Sequence, residues 1–390
     1  MFKIQTLNNI SVRGLERLPR ELYEVASDIT QPDAVMVRSA DMHKVDISPS
    51  VLAIGRAGAG TNNIPVAAMS KRGVPVFNAP GANANAVKEL VLAGLFLSSR
   101  NIAPALDFVR KLDGDDKAMH EAVEAGKKNF VGFELPGRSL GVIGLGAIGI
   151  KVANAAVELG MDVWGFDPGM TVNNAWKLDA RVRRAVSVDD LMSRSQFVSL
   201  HVPLIDATRN LINADRIKLL KKQGVVLNFA RAPIVDEVAV VEALNAGNLH
   251  SYVCDFPSVT LKGHPRVVAT PHLGASTGEA EENCAVMVAD QLRDYLETGN
   301  ITNSVNFPDA VLPLLPGKSR IAIVNENVPN MVGQISTELA KEALNIADLL
   351  NKSRGDLAYT LVDLDAPPSA AALEGIRAIT GVLGVRTITS

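Results

Sequence analysis

The chain is 390 residues long, 47% hydrophobic and 21% charged, a balance that excludes disorder and supports two or three domains with full cores. Lysine and arginine number 39 against 42 acidic residues, a net charge of −3, so nothing points to nucleic acid and any cationic site has to be local. The longest apolar run, residues 140–150, is about half of the roughly 20 residues a membrane-spanning helix needs.

The first ten residues lack the apolar centre of a secretory signal. Cys254 and Cys284 have neither metal-ligand nor disulfide spacing. We therefore expect a cytoplasmic protein with no membrane partner and no metal.

In chain order, DAVMVRS, VLAIGRAG and PVFNAP read as buried strands separated by polar turns. Residues 86–110 read as helix, with Pro104 expected to bend or end it. The segment DGDDKAMHEAVEAGKKNFVGFELPG is polar and reads as loop. Strand-length apolar segments then repeat as SLGVIGL, MDVWGFD, QFVSLHVP, GVVLNFA, SYVCDF and RVVATPH, with helical or turn-rich stretches between them. That alternation predicts βα units and parallel sheets. TGEAEENCAVMVADQLRDYLETG has helical periodicity and can return to pack on the first eighty residues.

After the proline-bearing linker VNFPDAVLPLLPGKS the pattern is βαββαβ, a ferredoxin-like arrangement. The expected architecture is α/β, two Rossmann-like doubly wound sheets plus that small module. The expected boundaries are 1–85 with 279–316 for a discontinuous substrate-binding domain, 86–278 for a dinucleotide-binding domain, and 317–390 for a regulatory domain.

SLGVIGLGAIG runs a strand into Gly144-Leu145-Gly146-Ala147-Ile148-Gly149, a full G-x-G-x-x-G. The first glycine permits the tight turn, the second lets backbone amides approach a pyrophosphate, and the third lets the helix pack on its strand. A second strand ends at Asp167, close to the spacing expected of an acid that accepts both ribose hydroxyls. Pro168 follows it rather than an arginine, which favours NAD over its 2′-phosphorylated relative. Two further strands end in Arg231 and in Thr270-Pro271-His272. In open α/β sheets the carboxyl ends of strands line the ligand crevice. There an arginine can bind a carboxylate in two-point fashion, and a histidine can carry a proton to or from an alcohol.

G-x-G-x-x-G with its later aspartate, HVPLIDATRNLI, NFARAPIVDE and PHLGAST together resemble the D-isomer-specific 2-hydroxyacid dehydrogenases. GRAGAGTNNI, VFNAPGANANAVKEL and the carboxy-terminal module narrow the resemblance to the branch that oxidises 3-phospho-D-glycerate to 3-phosphohydroxypyruvate with NAD, the first step of serine biosynthesis. The resemblance implies that Arg231 binds the substrate carboxylate and His272 is the acid–base group. It places Gly144, Gly146, Ala147, Ile148, Gly149, Asp167, Val202, Pro203, Phe229, Ala230, Asp255 and Gly274 at NAD. It places Arg38, Ser39, Arg56, Gly81, Ala82 and Asn83 at the phosphorylated substrate.

One departure stands out. The family places a glutamate a few residues after the Asp255 position to orient the histidine, and here Val259 or Thr260 stands in its place. Either another carboxylate serves, with Glu279, Glu281 and Glu89 as candidates, or His272 works without one. The alternatives that stay open are a dehydrogenase for another D-2-hydroxyacid, including 2-oxoglutarate reduction, and a low-turnover NAD-sensing regulator. The carboxy-terminal module resembles an ACT domain, which implies a homo-oligomer, with a tetramer expected. It also makes L-serine a candidate effector at Asn325, Asn327 and Asn345.

Overall fold

The computed structural model describes residues 1–389. They form two compact units, Met1–Asn83 with Gly278–Ser390, and Ala84–Thr277. In the first, strands β1 (Phe2–Leu7), β2 (Tyr23–Ala26), β3 (Ala34–Val37), β4 (Ala53–Arg56) and β5 (Val76–Phe77) make an all-parallel sheet in the order β2-β1-β3-β4-β5. Every residue of β3 is buried, the pattern of a parallel strand covered on both faces. The helix Gly278–Thr298 does return to this sheet, setting Ala285, Val288, Ala289 and Leu292 into one core with Ile4, Met36 and Ala53.

The second unit carries β6 (Ser139–Ile143), β7 (Asp162–Phe166), β8 (Arg183–Arg184), β9 (Phe197–Leu200), β10 (Gly224–Asn228), β11 (Leu249–Cys254) and β12 (Val267–Ala269). They form a parallel sheet in the order β12-β11-β10-β9-β6-β7-β8. On one face Val87, Val91 and Leu95 of the helix Ala84–Ser99 meet Val152, Ala153 and Ala156 of the helix Ala147–Glu158. Leu191, Ile217, Val240 and Leu244 fill the other. The sheet reverses direction of growth between β6 and β9, which is where such folds open a ligand crevice.

Two local expectations are corrected. The helix break falls at Asn101, which is left-handed at φ 51°, and not at Pro104. Pro104 sits in the first turn of the next helix, Ile102–Arg110, where its missing N–H has no partner to lose. The segment after residue 112 is not all loop: Asp116–Gly126 is a helix whose N-cap Asp115 accepts the Ala118 amide. Most of its side chains face solvent, and a short inward stripe, Met119, Ala122, Val123 and Gly126, is all the periodicity it shows.

The carboxy-terminal strands β13 (Ser319–Glu326), β14 (Ile346–Arg354), β15 (Leu357–Leu364) and β16 (Val382–Thr389) form an antiparallel sheet, order β14-β15-β13-β16. One face packs the helices Met331–Lys341 and Ala370–Arg377 through Ile321, Ile323, Ile335, Leu339 and Ile376. The other face is not free. Ala322, Val324, Tyr359, Leu361 and Ile388 belong to the same core as Ile4 and Leu292. Among the described residues no helix is long and apolar enough to cross a membrane, and no group of side chains could hold a metal ion.

Candidate active site

The glycine loop closes β6. Gly144 is at φ 92°, and a Cβ there would stand 2.6 Å from the His201 carbonyl oxygen, so the turn runs against the end of β9. A Cβ on Gly149 would lie 1.9 Å from the Gly144 carbonyl oxygen, which only a bare backbone allows. Gly146 is different: nothing lies within 4 Å of the place its Cβ would take. The helix begins at Ala147, with Gly146 as its N-cap. Among the described residues the amides of Ala147, Ile148 and Gly149 donate to no carbonyl of the chain. Space in front of Gly146 and unbonded amides behind it make a cradle for a pyrophosphate.

Asp167, just past β7, accepts the Leu145 amide on one carboxylate oxygen and the Gly169 amide on the other, both at 2.8 Å. Each oxygen keeps a lone pair for a hydroxyl, and the residue is only half-buried. The residues present therefore fit a dinucleotide. Val202 is half-buried and Pro203 exposed beyond β9. Phe229 is an exception among the expected contacts: its ring is buried in the core beside Gly94, so only its main chain faces outward.

Neighbouring strands β10, β11 and β12 present Arg231, Asp255 and His272 just beyond their carboxyl ends. Backbone bonds carry the sheet past those ends: the Asp255 amide donates to the Asn228 carbonyl at 3.2 Å, and the His272 amide to the Asp255 carbonyl at 3.1 Å. With β10 and β12 two places apart, the backbones carrying Arg231 and His272 are about 10 Å apart. Both side chains are exposed at the strand ends. Two-point binding of an acid and proton transfer to the adjacent carbon's oxygen are within their joint reach.

Asp255, expected at NAD, is buried, and its carboxylate braces the loop beyond β12. One oxygen accepts the Thr270 hydroxyl at 2.6 Å and the Leu273 amide at 2.7 Å, and the other accepts the Gly274 amide at 2.7 Å. These bonds clasp the loop in which His272 is held at φ 57°, a left-handed conformation uncommon outside glycine. The His272 ring meets the Phe256 ring edge-on at 5.1 Å between centroids. Within this unit no carboxylate pairs with it. Val259 is 94% exposed. Glu89 is bonded to Asn85 and Lys88, and Glu281, in the other unit, to Arg38.

In the first unit Arg38 and Arg56 stand at the carboxyl ends of β3 and β4, both half-buried, and Arg56 Nε donates to the Arg38 carbonyl at 3.0 Å. The Ser39 amide donates to Asn8 Oδ1 at 3.1 Å. The Gly81-Ala82-Asn83 turn is half-buried, and Gly81 needs its φ of 79°. In the carboxy-terminal module Asn325 is buried and donates to the Glu326 carbonyl, and Asn327 donates to the Gly355 carbonyl. Asn345 lies elsewhere. It adjoins Ile346, whose partner in the sheet is Leu364, itself paired with Ser319 at the far end of β13 from Asn325. That separation is about 20 Å, so one chain does not bring the three amides together.

Several contributors carried no sequence signal. Buried Asn228 donates to the Arg231 carbonyl at 2.9 Å and accepts the Ala230 amide, fixing the turn that presents the arginine. Thr270 and Phe256 brace the His272 loop. Asn63 donates to the Arg38 and Ala40 carbonyls while its own Oδ1 is buried without a partner. Only the strand-end rule could have found them, and it does not say which side chain turns inward.

Residues 102–274 match the model of the D-isomer specific 2-hydroxyacid dehydrogenase NAD binding domain. The chain is similar to the D-3-phosphoglycerate dehydrogenase of Haemophilus influenzae, 33% identical over 356 residues that cover 88% of this chain and 83% of the relative. The Escherichia coli K12 protein of the same name is 32% identical over 357 residues, again 88% and 83%. Among solved structures, the NAD+-bound 3-phosphoglycerate dehydrogenase of Entamoeba histolytica aligns with a TM-score of 0.59 at 25% identity, covering 78% of this chain and 98% of the other.

Proposed function

Because the chain belongs to the D-isomer-specific 2-hydroxyacid dehydrogenases and is an NAD-dependent dehydrogenase, we propose that its substrate pair is 3-phospho-D-glycerate and 3-phosphohydroxypyruvate. The observation that carries the choice of substrate is the pair of guanidiniums, Arg38 and Arg56, at adjacent strand ends in a protein whose overall charge is slightly negative. A phosphate dianion suits such a pair better than a singly charged carboxylate does.

In this reading Arg231 binds the carboxylate and polarises the neighbouring C2 oxygen. His272 takes the proton from the C2 hydroxyl in oxidation and returns it to the carbonyl oxygen in reduction. NAD, when bound, supplies the acceptor for the hydride leaving C2, or its donor in reverse. The amides of Ala147 and Ile148, the Asp167 carboxylate, Val202, Pro203, the main chain of Phe229 and Ala230, and Gly274 would hold it. Asp255 and Asn228 act behind these groups, fixing the loops that carry His272 and Arg231.

The same resemblance supports a cytoplasmic enzyme at the start of serine biosynthesis, assembled as a homo-oligomer. A serine site that used all three amides would have to take Asn345 from a second copy, because Asn325 and Asn327 lie at the other end of the module. The His272 ring's lack of a carboxylate partner within its unit favours one second reading, a protein that binds NAD and turns over slowly.

The test is direct. Purified protein should consume NADH, followed by absorbance, when given 3-phosphohydroxypyruvate. His272→Asn and Arg231→Gln should each lower kcat/KM by about a thousandfold. NADH binding without turnover of this or any other ketoacid would establish the regulator instead.

A further inference from the structure

The cationic pair of the first unit carries its own anion. Glu281 lies in the first turn of the helix Gly278–Thr298, a place the helix dipole favours for a carboxylate, and its Oε1 accepts a hydrogen bond from Arg38 Nη2. The two side chains are 39% and 40% exposed, so the bond sits where solvent and solutes reach it. The charged groups around the buried Cys284 thiol are these same three, Arg56, Arg38 and Glu281, which places them in one cluster. Glu281 thus sets one negative charge against the guanidinium of Arg38.

We propose that Glu281 is an exchangeable counter-ion of Arg38 and thereby a specificity-determining residue. It holds the guanidinium until a dianionic phosphate monoester replaces it, and it stays in place when the ligand carries no phosphate. The proposal rests on the reading that Arg38 and Arg56 receive the substrate's phosphate. The exchange is favourable for that ligand because a guanidinium fork binds phosphate at two points and meets twice the charge. It also weakens every phosphate compound by the same repulsion.

The test compares wild type with Glu281→Gln, which keeps the size and loses the charge. The readouts are the kcat/KM values for 3-phosphohydroxypyruvate and hydroxypyruvate, and competitive inhibition by inorganic phosphate. One charge removed beside a dianion at a solvent-exposed site should raise the phosphorylated-to-unphosphorylated ratio about tenfold and tighten phosphate inhibition by a similar factor. Both shifts should fade in about 1 M salt, where screening acts within roughly 3 Å. In an Arg38→Gln background the same substitution should change the ratio by less than about twofold, because the partner it acts through is gone. Glu281→Ala, which also removes the acceptor, should move the ratio in the same direction.

An unchanged or lower ratio, or an equal shift without Arg38, overturns the counter-ion role while leaving the substrate reading intact. A wild type that neither turns over 3-phosphohydroxypyruvate nor is inhibited by phosphate overturns both.

Discussion

Arg320 is the largest fully buried side chain of the first unit, and removing it tests whether the carboxy-terminal module is one body with the sheet β1–β5. Its Nε and Nη2 bind the two oxygens of buried Asp363 at 2.6 and 2.7 Å. Nη1 donates to the carbonyls of Thr298 and Leu312 at 2.9 and 2.8 Å, and Nη2 also to that of Pro313 at 3.2 Å. All five guanidinium hydrogens are used, and three of them join the module to the end of the helix Gly278–Thr298 and to the linker after it. Arg320→Met leaves a buried carboxylate with no counter-charge and three carbonyls without a donor.

Breaking a buried pair from one side costs about 3–5 kcal/mol. In a unit of about 200 residues each kcal/mol moves Tm by about 2–4 °C, so calorimetry should show a fall of about 6–20 °C. Adding Asp363→Leu should restore part of it, since that removes the uncompensated carboxylate while the three carbonyls stay without a donor. A single variant that melts within about 2 °C of wild type, or a double variant no better than the single, would show that the pair does not join the module to the sheet.

Two further outcomes follow from the cofactor side. Gly146→Ala places its Cβ in open space and should leave Tm unchanged while weakening NADH by about tenfold or more in a fluorescence titration. Gly149→Ala drives its Cβ into the Gly144 carbonyl and should lower both. His201, bonded to Ser199 at 2.8 Å, has its imidazole pKa pushed down to about 3 by desolvation, from 6.5. A base depressed in the folded state contributes stability that is whole above pH 6.5 and is lost as pH falls towards 3. His201→Gln should therefore flatten the acid limb of Tm across that window, and parallel limbs for the two proteins would rule the assignment out.

The sequence by itself determined what depends on short range. Alternating strand and helix periods predicted the two parallel sheets, G-x-G-x-x-G with Asp167 predicted the cofactor loop, and strand-end position singled out Arg231 and His272. Each of these is written in residues a few places apart, where pitch, pleat and turn geometry act directly.

Tertiary structure decided the rest. Which strand ends become neighbours determines that Arg38 meets Glu281, 243 residues away, and that Arg320 meets Asp363. The same adjacency set Asp255 against the His272 loop, sent the Phe229 ring into the core, and left Asn345 about 20 Å from Asn325. Ion pairs and buried hydrogen bonds act over a few ångströms, and no local pattern records which distant residues the folded chain brings within that reach.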